Sequence, residues 1–126
     1  MRILVLGGGG REHALVWALS REGRHEVHAA PGNPGMVPRA TLHPTDVDDG
    51  DAVVDLARSI DPHLVVVGPE APLVAGVADL LRTEGFAVFG PGASGARLEG
   101  SKAFAKKFMG RHGIPTAPFA VCQSLA

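Results

Sequence analysis

Four glycine- and proline-rich stretches hold most of the residues of this chain that could meet a small ligand: GGGGREHA (Gly7 to Ala14), APGNPGM (Ala30 to Met36), GPEAPL (Gly68 to Leu73) and GPGAS (Gly90 to Ser94). Their polar side chains are few, namely Arg11, Glu12, His13, Asn33, Glu70 and Ser94. In the first stretch the successive amides of Gly8, Gly9 and Gly10 precede a helical pattern. Unpaired N–H groups and the helix dipole together favour an anion there, phosphate above all. Read alone, each stretch is only a tight turn. Four of them on one sheet edge argue for a ligand.

Other chemistries fit poorly. The dinucleotide fingerprint G-x-G-x-x-G reaches Glu12 if begun at Gly7 and His13 if begun at Gly8, and the second strand ends without an acid for a ribose hydroxyl. A nicotinamide-dependent oxidoreductase is therefore disfavoured. GARLEGSK (Gly95 to Lys102) resembles a P-loop but has serine before lysine and no strand running into it. The acidic run from Asp46 to Asp55 lacks the glutamate that would close a calcium loop, since Ala57 stands there, and reads as a solvated helix entry. The six histidines show no metal-ligand spacing, His25 and His28 pointing to opposite faces if both are extended. No metal site is expected. There is no G-x-S-x-G elbow, and Cys122 lies far in sequence from the loops, so no catalytic residue is assigned.

The elements that must carry these loops follow from the apolar pattern. Ile3 to Leu6, Leu64 to Val67 and Phe86 to Phe89 are short apolar runs, and EVHAA (Glu26 to Ala30) reads as a further strand. Between them, Ala14, Leu15, Ala18 and Leu19 give one helical stripe, and Val53, Val54, Leu56, Ala57 and Ile60 another. A third helix is expected from about Val74 to Arg82, with Val77, Leu80 and Leu81 inward. Strand and helix alternating on short connections predict an α/β fold: a Rossmann-like open parallel sheet with helices on both faces. Its ligands belong outside the carboxyl ends of the strands.

From Gly100 the pattern changes. SKAFAKKFMGRHGIP predicts a helix with Phe104, Phe108 and Met109 on one face, and TAPFAVCQSLA starts like another strand. Residues 1–100 are thus expected to form the sheet domain and 101–126 the truncated start of a second one. The tail helix would then expose an apolar patch that packs non-natively on a neighbour or loses order.

The chain has 126 residues, 45% hydrophobic and 20% charged, with 17 glycines, 10 prolines, one cysteine and a net charge of −1. That is enough for one core, and it excludes a complete multi-domain enzyme and a disordered chain. Near-zero charge gives no reason to expect nucleic acid or a membrane as partner. A lone cysteine and no signal-like or spanning segment suit the cytoplasm.

Taken in order, GGGGREHAL, APGNPG, VVGPEAPLVAGVAD, FGP, LEGSKAFAKKFM and HGIPTA resemble the N-terminal part of the glycinamide ribonucleotide synthetase family. These are phosphoribosylamine–glycine ligases of the ATP-grasp superfamily, and the resemblance covers nearly the whole chain. It implies an ATP- and Mg2+-dependent ligation in purine biosynthesis, in which glycine is activated as glycyl phosphate and attacked by the amine of 5-phosphoribosylamine. This chain would hold the 5-phosphoribosylamine half of the site on a pre-ATP-grasp domain. By itself it is expected to bind neither ATP nor Mg2+ and to be inactive.

Carried onto this sequence, the resemblance implies that Gly9, Gly10 and Arg11 hold the phosphate, with Gly8 and Glu12 in the same loop. Glu70 would accept ribose hydroxyls, accompanied by Gly68 and Pro69 and with Asn33 beside it. Lys102 would reach ATP phosphates. The family usually has a polar residue where this chain has Gly8, so a side-chain contact is expected to be lost there. The competing reading is a stand-alone module binding a sugar phosphate or nucleotide without chemistry.

Overall fold

The computed structural model describes residues 1–122. Five parallel strands form one sheet: β1 (Arg2–Gly7), β2 (Glu26–Pro31), β3 (Thr41–Leu42), β4 (Leu64–Val67) and β5 (Val88–Phe89), in the order β3-β2-β1-β4-β5. The helices are α1 (Gly10–Ser20), α2 (Gly50–Ile60), α3 (Glu70–Ala75), α4 (Val77–Thr83), α5 (Ala93–Gly100) and α6 (Lys102–Arg111). A single 3-10 turn, Pro34–Met36, follows β2.

Both faces of the sheet are covered, as the unbroken apolar strands require. On one side Leu4, Leu6, Val65 and Val67 pack on Val53, Val54, Ala57 and Ile60 of α2 and on Leu73, Val77, Ala78 and Leu81 of α3 and α4. On the other, Ile3, Val5, Val27, Ala29 and Val66 pack on Val16 of α1 and on Met36. Strand order reverses between β1 and β4, which opens a crevice at their carboxyl ends. No described helix is long and apolar enough to cross a membrane.

Several local expectations need correction. The inward face of α1 is Glu12 and Val16, with Leu19 half-buried, whereas Ala14, Leu15 and Ala18 face outward and Trp17 is 47% exposed. The helix enters at an angle that tucks residue 12 beneath the glycine loop, and residues four and seven further on share that face. The expected helix from Val74 begins earlier, at Glu70, and is broken at Gly76, whose φ of 93° ends α3 and starts α4. Thr41–Leu42 adds a strand the sequence pattern did not reveal.

The stretch Gly95 to Lys102 lies in α5 and the start of α6, so it forms no phosphate loop. Residues 116–122 form no strand, and the remainder of that expected strand lies outside the described residues. The acidic run behaves as a helix entry, Asp49 capping α2 by accepting from the Asp51 and Ala52 amides at 3.1 Å. Phe104, Phe108 and Met109 are half-buried, and Arg97 stacks 4.2 Å from the Phe104 ring centre.

Candidate functional site

The crevice is built from the loop after β1 and the loop after β4. β1 delivers Gly7 to Gly9, and α1 starts at Gly10, so the N–H groups of Gly10 and Arg11 have no intrahelical partner. β4 delivers Gly68 and Pro69, and α3 starts at Glu70. The two loops bring Arg11 and Glu70 together at 3.5 Å. Both side chains are open, 72% and 51% exposed, so this pair adds little to stability and can separate around a ligand. Glu99 of α5 stands 4.0 Å from the other guanidinium nitrogen.

Among the other sequence-nominated residues, several are held by hydrogen bonds within the loops. Glu12 is 5% exposed, and its Oε2 accepts the Gly9 N–H at 2.8 Å. The Gly9 N–H is thus engaged by the buried Glu12 carboxylate, although Gly9 itself is exposed. The Gly68 N–H donates to the Leu6 carbonyl at 3.1 Å and Pro69 has none, so that loop offers carbonyls and Glu70 but no amide donor of its own before α3. Asn33 donates from Nδ2 to the Gly8 carbonyl at 3.0 Å and accepts the Gly35 amide on Oδ1 at 2.9 Å. Its amide group thus ties the loop after β2 to the loop after β1 rather than standing open beside Glu70.

Lys102 is exposed at the start of α6, behind Ser101, whose hydroxyl accepts the Phe104 amide at 3.3 Å. With Lys106, Leu98, Ala105 and Met109 it lines a cavity of about 280 Å³. Glu99 borders both this cavity and Arg11.

Sequence reasoning missed a second polar cluster. His28, on β2, directs Nδ1 to Nε2 of His43 at 3.0 Å, while its Nε2 lies 3.2 Å from Glu26 Oε1. Burial, and then the neighbouring His28, push the His43 pKa below the ordinary imidazole value. Glu26 and His28 stand two apart on β2, and the β2–β3 pairing brings His43, 15 residues beyond His28, against them. Among the described residues no group of three or more His, Cys, Asp or Glu side chains is arranged to hold a metal ion.

The family model described as phosphoribosylglycinamide synthetase, N domain, matches residues 1–99. The chain belongs to that family. A phosphoribosylamine–glycine ligase of Streptomyces coelicolor is 55% identical over 127 residues, covering 100% of this chain and 30% of the relative. The solved phosphoribosylamine–glycine ligase of Thermotoga maritima is 37% identical with a TM-score of 0.68, over 94% of this chain and 26% of that one. An N5-carboxyaminoimidazole ribonucleotide synthetase from the same organism has a TM-score of 0.69 at 18% identity, over 98% of this chain and 34% of its own. That likeness concerns the fold alone. The chain thus spans about 30% of the length of the curated relatives it matches.

Within this phosphoribosylglycinamide synthetase N domain, Gly8 has a steric cause. A Cβ there would lie 2.5 Å from the Gly32 carbonyl oxygen, which is backbone. The loops after β1 and β2 touch through their main chains, and the Asn33 amide supplies the polar group at that contact.

Proposed function

We propose that this chain supplies the 5-phosphoribosylamine-binding part of an ATP-dependent ligase that joins phosphoribosylamine to glycine in purine biosynthesis, acting in the cytoplasm. The observation that carries the reading is the convergence of Arg11 and Glu70 at the strand-order reversal of a domain belonging to this family. A sugar phosphate has an anionic end and a hydroxyl-bearing ring, and the two residues match those ends. The guanidinium and the first-turn amides of Gly10 and Arg11 would bind phosphate. The Glu70 carboxylate, acceptor-only when ionised, would take ribose hydroxyls. Gly8, Gly9 and Asn33 shape the loop that presents those donors.

Residues 101–126 are read as the start of an ATP-grasp domain, in keeping with a family match that stops at residue 99. Lys102 would be its contribution toward ATP phosphates. Among the described residues no group of three or more His, Cys, Asp or Glu side chains could hold Mg2+. What this chain's residues do is bind and orient the phosphoribosylamine so that its amine is presented away from the phosphate loop.

The test is an NMR titration of the isotope-labelled chain with ribose 5-phosphate, a stable stand-in for the labile amine, with NAD in parallel. Saturable shifts at Gly8 to Arg11 and at Glu70 are expected with ribose 5-phosphate and not with NAD. Arg11→Ala and Glu70→Ala should each weaken that binding. Equal affinity in both variants, or shifts elsewhere only, would overturn the assignment.

A further inference from the structure

We propose that Glu12 is a positioning residue: its buried side chain sets the gap between the loops after β1 and β4, and through them the separation of Arg11 from Glu70, without touching the ligand. This inference rests on the phosphoribosyl reading of the crevice and deepens it.

Glu12 is the third residue of α1, and helical side chains lean back toward the N-terminus. It therefore runs beneath the glycine loop. A Cβ on Gly7 would lie 2.6 Å from Glu12 Cγ, one on Gly9 2.8 Å from Glu12 Oε2, and one on Gly68 2.5 Å from Glu12 Cγ. One side chain thus fills the space that three glycines leave open, two in the first loop and one in the second. Gly7 also has a φ of 121°, which favours glycine by itself. Gly9 does not, its φ being −80°, and Gly68 is not among the glycines with positive φ. At these two positions the glycine is explained by Glu12.

A simple cap would account for the bond to the Gly9 amide. It would not account for Gly68, 56 residues further on in the other loop. Burying a carboxylate is costly unless it is hydrogen-bonded, and no cation pairs with Glu12 among the described residues. The Gly9 N–H and the positive end of α1 hold the charge instead. Immediately before Glu12 stands Arg11, and two residues after Gly68 stands Glu70. The strut therefore sets the main chain from which the two candidate ligand contacts project.

The experiment compares Glu12→Gln, which keeps volume and an acceptor for Gly9, with Glu12→Met, which keeps volume alone, and with Glu12→Ala. A double-mutant cycle adds Gly68→Ala. In the free chain, Glu12→Ala should shift the amides of Gly68 and Glu70 as well as those of Gly8 to Arg11, leaving β3 unmoved, whereas Glu12→Met should shift those of Gly8 to Arg11 alone. Glu12→Gln should bind ribose 5-phosphate within about threefold of the parent, and Glu12→Ala about tenfold or more weaker. Gly68→Ala should be much less harmful in the Glu12→Ala background, where the space is vacated.

Loss of stability with ribose 5-phosphate affinity unchanged in Glu12→Ala would reduce Glu12 to a cap and overturn the proposal. So would additivity in the cycle. If the parent chain does not bind ribose 5-phosphate, the phosphoribosyl reading fails, while the free-chain shifts and a stability-based cycle still decide the strut.

Discussion

The Asn33 side chain donates to the Gly8 carbonyl across 25 residues of chain, at 3.0 Å, while its oxygen accepts the Gly35 amide two residues on. One amide group therefore starts the 3-10 turn after β2 and pins that turn to the loop after β1. Asn33→Ala removes both bonds and leaves the half-buried Gly8 carbonyl without its partner. The expected loss is about 1–3 kcal/mol in urea unfolding. Asn33→Asp keeps the acceptor for Gly35 but turns an oxygen on the Gly8 carbonyl. It should be no better than alanine at holding the two loops together, read as the amide shifts of Gly8 to Gly10.

The Glu26, His28 and His43 chain gives the edge of the sheet a pH dependence. His43 is held below the ordinary imidazole pKa of about 6.5, mainly by burial and then by His28. Between its folded pKa and that ordinary value, the unfolded chain binds a proton that the folded chain refuses. Stability must therefore fall as pH drops through this window, and the contribution is complete only above it. Histidine NMR titration should place His43 below the free-imidazole value. His28→Phe should move it back toward that value if burial is preserved. A parent His43 titrating at or above the ordinary value would contradict the geometry.

How much of this was legible in the sequence depends on the range over which each feature is decided. β1 and β4 are continuous apolar runs bounded by glycine or turn residues, and the α2 stripe repeats with helical period, so all three stand where the sequence puts them. β3 has two residues and no period to detect. α5 carries two glycines and buries only Ala96, and its first amide, that of Ala93, is capped by Asp79 of α4 at 2.8 Å. A cap supplied from another helix leaves no local signal.

The site divides in the same way. The loops and their meeting at the crevice follow from sheet topology, so Arg11 and Glu70 could be nominated together. The roles of Glu12 and Asn33 depend on which distant backbone each side chain reaches. Glu12 did carry one local sign, an acid three residues after a helix-capping position, half of a capping box. Its N-cap partner is glycine, which hides the motif. Outward-facing Leu15 and Trp17 likewise masked the α1 face that Glu12 and Val16 occupy.

Neighbouring glycines in the first loop should respond oppositely to the same substitution. At Gly8 an added Cβ meets the Gly32 carbonyl at 2.5 Å, and because both partners are main chain, neither can turn aside as a side chain would. Relief requires the loops to part, which strains the Asn33 bond as well. Gly8→Ala should cost about 1–3 kcal/mol, as overpacking commonly does. At Gly10 nothing lies within 4 Å of the added carbon, the residue is the first of α1, and its φ is not among the positive ones. Gly10→Ala should be neutral or stabilise by about 0.4–1 kcal/mol, by narrowing the unfolded ensemble. Chemical unfolding of the two variants side by side measures both. If Gly8→Ala proved as benign as Gly10→Ala, the loops after β1 and β2 would not be in main-chain contact, and the role given to Asn33 would fall with it.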